Sequence, residues 1–133
     1  MKQEKKKSTK YPFPKSVRVL KQADFDRVYR GDVFAADEVL VIKGAANDLD
    51  RIRLGLSISR KVGNAVVRNR WKRVIREAFR LQRPQLPTGL DVVVRPRKGA
   101  SCEYDAVFRS LRQLIGKLDR RVKKPVSKQR GSK

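Results

Sequence analysis

The chain has 133 residues, of which 35 are Lys or Arg and 13 are Asp or Glu, for a formal net charge of +22 at pH 7. So large a positive excess predicts a polyanionic partner, for which nucleic acid is the leading candidate. The chain contains no His and one Cys, Cys102, which excludes an intrachain disulfide and the usual zinc sites. The absence of His and of any evident carboxylate cluster favours a nucleic-acid-binding protein over an autonomous nuclease.

Composition also predicts the organisation and location of the chain. Hydrophobic residues make up 39% of the sequence, enough for one folded domain with a modest core. We expect residues 1–15 to form a flexible basic arm, residues 16–119 one RNA-binding domain, and residues 120–133 a disordered basic tail. No run approaches the roughly 18 apolar residues of a membrane-spanning helix, and no apolar segment follows the basic N-terminus. We therefore expect a cytoplasmic protein with no membrane partner.

The first half of the chain is predicted to form one helix and three strands. Residues 20–30 form the helix, with Asp24 near its positive end and Gly31 as its stop. Its aromatic residues Phe25 and Tyr29 share a face, and they are either core residues or a platform for stacking bases. Strands are predicted at residues 33–36 and 39–43, and a polar turn over residues 44–50 would join the second to the third as a hairpin.

The third strand, residues 51–59, alternates between apolar and polar side chains. One face carries Ile52, Leu54, Leu56 and Ile58, and the other carries Arg51, Arg53, Gly55, Ser57 and Ser59. A smooth, polar, positive sheet face suits an extended single strand of nucleic acid. An ordinary solvent-facing sheet is an equally good interpretation of the same alternation.

A basic helix is predicted within residues 60–81, after Gly63 and the N-cap residue Asn64. Helical spacing places an apolar stripe on one side, made of Val67, Trp71, Val74, Ile75 and Ala78. The opposite side carries Asn69, Lys72, Arg73, Arg76 and Arg80. A charged helix front is commonly just solvated, but this one has a single sign and is rich in Arg, whose planar fork suits phosphate. The pattern therefore predicts an anion-binding face.

Residues 90–95 are predicted to form a buried strand. A final helix is predicted after Ser101, which is its expected N-cap. The apolar stripe of that helix would contain Tyr104, Phe108, Leu111, Ile115 and Leu118. A strand, the basic helix and a strand in succession make a βαβ unit with parallel strands, which the general rule makes right-handed.

Residues 61–77 read K-V-G-N-A-V-V-R-N-R-W-K-R-V-I-R-E and resemble the signature of the bacterial ribonuclease P protein subunit. Three further segments resemble that family in the expected order, D-F-x-x-V-Y at residues 24–29, R-x-G-L-S-I-S at residues 53–59 and D-V-V-V-R-P-R at residues 91–97. The largest local departure is Trp71, where the family more often has an aliphatic residue.

The resemblance implies an α/β fold, an α+β two-layer sandwich of order αβββαβα with a central mixed four-stranded sheet. It also implies a left-handed crossover through the basic helix, against the general rule. It further implies a subunit of a ribonucleoprotein endoribonuclease that removes the 5′ leader of precursor tRNA, with catalysis in the RNA subunit and Mg²⁺ held by that RNA. The implied partners are the catalytic RNA and precursor tRNA, with no obligate protein partner. The alternative is a non-enzymatic basic RNA-binding or ribosomal protein.

The resemblance also assigns two sets of binding residues, and no catalytic or metal-binding residue. The first set, which would bind the RNA subunit, contains Lys61, Asn64, Arg68, Asn69, Arg70, Lys72, Arg73 and Arg76. The second set, which would line a cleft for the single-stranded leader, contains Phe25, Tyr29, Val39, Val41, Arg53 and Ser57. This assignment favours a cleft position over a core position for Phe25 and Tyr29.

Overall fold

The structure, a computed structural model, describes residues 21–123. Its helices and strands are α1 (Gln22–Gly31), β1 (Val33–Ala36), β2 (Leu40–Ala46), β3 (Arg53–Leu56), α2 (Ala65–Gln82), β4 (Leu90–Pro96) and α3 (Tyr104–Lys123). Short 3₁₀ turns precede and follow α2, at Arg60–Val62 and Arg83–Gln85. The predicted order αβββαβα is confirmed.

The four strands form one mixed sheet in the order β1-β2-β4-β3. β4 pairs antiparallel with β2 and parallel with β3, to which it is connected through α2. The expected fold class is therefore confirmed, but the hairpin predicted between the second and third strands is wrong. β2 continues to Ala46, and β4 lies between β2 and β3 because its nearly continuous apolar sequence is buried best at the centre of a sheet.

One face of the sheet forms the main core with α2 and α3. The sheet contributes Leu40, Ile42, Leu54, Val92 and Val94, and the two helices bury Trp71, Ile75, Phe79, Leu111, Ile115 and Leu118. Gly44 lets α3 approach β2 closely, since a Cβ there would lie 2.4 Å from Leu118 Cδ2. The predicted stripe of α2 needs one correction: Val67 is 38% exposed, because it lies in the first turn, beyond the edge of the core.

The opposite face of the sheet carries α1. Strand register places Val41, Lys43 and Ala45 of β2 beside Arg95, Val93 and Asp91 of β4 on this face. Val28 of α1 is fully buried against Val93, with Phe25 and Ala45 packed around them. Arg95, further along the same face, is exposed. Within residues 21–123, two helices therefore lie on one side of the sheet and one short helix on the other.

β3 covers Arg53–Leu56 and not the predicted residues 51–59, and three further predicted boundaries differ from the structure. Gly31 is the last residue of α1, and the left-handed residue that ends the helix is Asp32, with φ of 55°, a conformation that Asp tolerates. α3 begins at Tyr104, and because the Val107 N–H bonds to the Glu103 carbonyl, Ser101 is not its N-cap. α3 also extends to Lys123, so residues 120–123 are helical. The predicted arm and the rest of the predicted tail lie outside the described residues.

Candidate nucleic-acid interface

The start of α2 is held by local hydrogen bonds. The Asn64 Oδ1 accepts a hydrogen bond from the Val67 N–H at 3.0 Å, which confirms Asn64 as the N-cap. The Arg68 Nε donates to the Gly63 carbonyl at 3.1 Å, so this guanidinium folds back over the loop that enters the helix. These bonds fix the direction of the positive end of the helix, which attracts anions.

The outward front of α2 carries positive charge that has few partners among the described residues. Lys61, Arg73 and Arg76 are exposed. Within residues 21–123, none of the side chains of Lys61, Asn69, Lys72, Arg73 or Arg76 has a hydrogen bond or an ion pair. Arg80 differs, because its Nη2 lies 2.6 Å from Glu77 Oε2. The Arg70 Nη2 donates to the Cys102 carbonyl at 3.3 Å. Within the described chain, this unpaired positive charge thus lies between Lys61 and Arg76, before the last two turns of the helix.

Exposed apolar side chains accompany this charge. Val66 is 76% exposed and Val67 is 38% exposed. Both lie in the first turn of α2, among residues assigned to RNA binding. Periodicity could not identify them, because it assigns apolar residues to the buried side. Together with the cations, they give this end of the helix a surface suited to riboses and bases as well as phosphates.

A buried carboxylate, Asp91 in β4, connects α1 to the sheet. Arg53 donates to it twice, from Nε to Oδ1 at 2.7 Å and from Nη2 to Oδ2 at 2.8 Å. Asn47 Nδ2 donates to Oδ1 at 2.9 Å, and Arg27 of α1 pairs with Oδ2. Burial alone would raise the pKa of Asp91. The hydrogen bonds from Arg53 and Asn47 and the charges of Arg53 and Arg27 outweigh it and lower the pKa below its ordinary value.

This cluster determines the surroundings of Arg53. Its Nη2 also lies 3.3 Å from Asp24 Oδ1 in α1, so the guanidinium contacts two carboxylates. Arg53 lies on the same sheet face as α1, as its assignment to a leader cleft requires, but its donors are used within the protein. The sequence pattern identified its face and could not identify these partners, which are distant in the chain.

The two aromatic residues of α1 lie next to each other beside the sheet face that α1 covers. The ring centroids of Phe25 and Tyr29 are 6.4 Å apart with an interplanar angle of 28°. Tyr29 is 41% exposed, whereas Phe25 is half-buried against Val28 and Val93. The Lys43 Nζ lies 5.5 Å from the Tyr29 ring centroid, a cation–π distance. Lys43 was not predicted as a binding residue, although a Lys within an otherwise apolar strand could have indicated one.

The remaining members of the predicted leader set do not all come together. Val41 is 8% exposed and lies on the α1 face beside Arg95. Ser57 is half-buried, and its N–H donates to the Val94 carbonyl at 3.0 Å as a continuation of β3. Val39 packs instead against the main core on the other side of the sheet, which separates it from Phe25 and Tyr29.

A basic cavity of about 340 Å³ lies between the start of α2 and the end of β4. Its walls include Ser59, Lys61, Trp71, Arg95, Arg97 and Lys98. Trp71 is 2% exposed, so it forms the floor of the cavity. Among the described residues, the charged side chains that line the cavity are all basic, so it favours an anion. Among these residues only Lys61 was predicted as a binding residue, although the R-P-R-K segment at residues 95–98 is visible in the sequence.

A comparison with protein families shows which family the chain resembles. The family model described as Ribonuclease P matches residues 13–119. The chain belongs to the ribonuclease P protein family. A ribonuclease P protein component from Desulforapulum autotrophicum is 34% identical over 112 residues, which cover 84% of this chain and 93% of that protein. One from Dictyoglomus thermophilum is 38% identical over 112 residues, covering 81% and 89%.

The solved structures agree with this assignment. The ribonuclease P protein from Staphylococcus aureus superposes with a TM-score of 0.66 at 35% identity, covering 74% of this chain and 92% of that one. The chain is thus a protein component of ribonuclease P, the ribonucleoprotein endoribonuclease of tRNA 5′ processing, and it acts with an RNA component. The alternative of a general RNA-binding or ribosomal protein is not favoured. None of the helices within residues 21–123 has the length and hydropathy needed to cross a bilayer.

Replacing Asp91 tests the link between α1 and the sheet. We expect Asp91→Ala to lower the free energy of unfolding at pH 7 by about 2–4 kcal/mol, because the change removes the buried carboxylate that Arg53 and Arg27 share. Urea unfolding followed by circular dichroism measures this loss. The matched control is Asp50→Ala. Because the side chain of Asp50 is 95% exposed, this change should alter the free energy of unfolding by less than about 0.5 kcal/mol.

The same variant has a defined pH dependence. Because folding lowers the pKa of Asp91, its contribution is complete above the ordinary carboxyl pKa of 3.8 and is lost as the pH falls through the lower folded-state value. The difference between the native chain and Asp91→Ala should therefore shrink only on the acid side of pH 3.8. A difference that stayed constant there, or one no larger than that of Asp50→Ala, would contradict the proposed role of the cluster.

Proposed function

We propose that the chain holds the catalytic RNA on the α2 front and the 5′ leader of precursor tRNA in the cleft beside α1. The observation that carries this proposal is the position of these two surfaces on opposite faces of one sheet. α2 and α3 cover one face and α1 covers the other. One small domain can therefore contact both RNAs at the same time, without competition for the same side chains.

On the α2 front, the assigned residues divide by what they contact within the protein. Arg73, Arg76 and Lys72 have no hydrogen-bond or ion-pair partner within residues 21–123 and are suited to phosphate contacts, which Arg makes with two parallel donors. Asn69 can bond to a base edge or a 2′-hydroxyl. Asn64 and Arg68 hold the helix start, and their effect on RNA binding would come largely through the position of the positive helix end.

In the cleft, the exposed ring of Tyr29 and the edge of Phe25 offer stacking surfaces for unpaired bases. Lys43 lies beside Tyr29 and can contact the phosphates between those bases. Val41 contributes an apolar floor, and Arg95 extends the positive charge along the same face towards the basic cavity. Such a path fits an extended single strand better than a duplex, because bases must be unpaired to stack on side chains.

Chemistry in this assignment belongs to the RNA subunit, with Mg²⁺ held by that RNA. The chain lacks His, the usual general acid or base near neutral pH. Its contribution would be to neutralise phosphate charge, to position the leader and to stabilise the folded RNA. Binding of precursor tRNA and a cytoplasmic location are part of this proposal, and both accord with the bacterial relatives.

Arginine substitutions on α2 test the RNA-subunit contact. We expect Arg73→Ala and Arg76→Ala each to weaken binding of the catalytic RNA by about 1–3 kcal/mol, because each removes a charge-assisted bond to phosphate. Filter binding at several salt concentrations measures the loss, and each variant should lower the slope against log salt by about 0.9. Arg80→Ala is the matched control, since its guanidinium is paired with Glu77. Equal losses for all three variants would refute a specific docking front.

An aromatic substitution tests the leader cleft. We expect Tyr29→Ala to reduce the preference of the reconstituted enzyme for precursor over mature tRNA by about 1–3 kcal/mol, because one base loses its stacking surface. Binding of the RNA subunit should remain unchanged. Tyr104→Ala, which removes an aromatic ring from a pair on the other side of the sheet, should leave that preference intact. Phe25→Ala should follow Tyr29→Ala, and an equal loss of RNA-subunit binding would assign Phe25 to the core instead.

A further inference from the structure

The outward side of α3 carries a basic surface that the proposed function does not use. α3 turns Val107, Leu111, Leu114 and Leu118 into the core. With 100° between successive residues, Arg109, Arg112, Gly116 and Arg120 lie on the opposite side. Together with Gln113 and Lys117, they line a groove of about 580 Å³, here called the α3 groove.

The charge of the α3 groove has one sign. No carboxylate lines it, and within residues 21–123 Arg109, Arg112 and Arg120 take part in no ion pair and no hydrogen bond. Other cations of the same helix are used inside the protein, since Arg121 donates to the Phe34 carbonyl and Lys123 Nζ lies 2.8 Å from Asp119 Oδ1. Three unpaired guanidinium groups on one side of a helix repel each other, which favours an external anion.

Gly116 opens the centre of the groove. Glycine is a poor residue for the interior of a helix, and its presence there usually has a packing or functional reason. A Cβ at Gly116 would meet only Arg120 Nη1, at 3.8 Å, which is ordinary van der Waals contact. Packing within the described chain therefore permits alanine and does not explain glycine. The missing side chain leaves space for a ligand backbone to approach the helix between the three arginines.

We propose that the α3 groove binds the sugar–phosphate backbone of the RNA subunit, at a second position separate from the α2 front. α2 and α3 pack beside each other on the same sheet face, so an RNA held on α2 lies on the same side of the sheet as the groove, and the leader cleft lies on the other. Arg109 and Arg120 are eleven residues apart, about 16 Å along the helix. A line of that length suits a continuous backbone better than a small anion. This inference rests on the proposed binding at α2.

The direct test is a triple variant, Arg109→Gln, Arg112→Gln and Arg120→Gln, in the full chain. If each arginine contacts one phosphate, affinity for the RNA subunit should fall by roughly 10- to 100-fold near physiological salt, and the salt slope should fall by about 2–3. The preference for precursor over mature tRNA should not change.

The matched variant with Lys at the three positions keeps the charge and should retain most of the salt slope. Because the side chains are exposed and Gln favours helix, the Tm of both variants should equal that of the native chain.

Gly116→Leu tests the groove without altering charge. Leucine is a better helix former than glycine, so the Tm should rise, while the added side chain fills the space between the arginines. We expect weaker RNA-subunit binding with an unchanged salt slope. Unchanged affinity in this variant would mean that no RNA backbone enters the groove.

The outcomes separate this inference from the proposed function. If the triple Gln variant kept the affinity and the salt slope of the native chain, the α3 groove would be an ordinary solvated face and the inference would be overturned. The docking of the RNA subunit at α2 is tested separately, by Arg73→Ala and Arg76→Ala. Loss of the precursor preference with intact RNA-subunit binding would also overturn it, because the groove would then contact the substrate.

Discussion

The buried carboxylate of Asp91 is the interaction on which the position of α1 against the sheet, and with it the proposed leader cleft, depends. Burial of an unpaired carboxylate would be strongly unfavourable, and here Arg53, Arg27 and Asn47 satisfy both of its oxygens. Because Arg27 belongs to α1 and Arg53 to β3, the cluster connects the lone helix to the sheet. Among residues 21–123, the hydrophobic contact between them is small, with Val28 and Val93 as its buried residues. Polar bonds therefore hold the helix that borders the proposed leader cleft.

The arginines of this chain divide into those with internal partners and those without. Arg53 and Arg27 contact Asp91, and Arg80 contacts Glu77. Arg73 and Arg76 lie on the same helix as Arg80 and have no such partner among the described residues. A net charge of +22 identifies the class of partner, but the pairing of each guanidinium determines where that partner can bind. Among residues 21–123, each face of the sheet retains arginines without an ion pair, Arg73 and Arg76 on one side and Arg95 on the other, and this supports the proposed binding of two RNAs.

Local patterns in the sequence predicted the helices and the face of each strand well, because periodicity and capping depend on neighbouring residues. Asn64 as the cap of the basic helix and the buried positions Trp71, Ile75 and Ala78 are confirmed. The position of β4 between β2 and β3 was not predicted, because strand order depends on contacts between distant segments. For the same reason the pattern placed Arg53 on the correct face and missed Asp91 as its partner. Phe79, fully buried, was also missed, since the predicted stripe was too narrow.

The division of labour between protein and RNA is tested most directly by reconstitution. The catalytic RNA and precursor tRNA are incubated at low Mg²⁺ with and without the full chain, and the cleavage products are mapped at nucleotide resolution. Charge neutralisation and leader binding by the protein predict faster cleavage at the 5′ boundary of the mature tRNA when the chain is present, and no cleavage by the chain alone. An unchanged rate, or cleavage in the absence of the RNA subunit, would contradict the account.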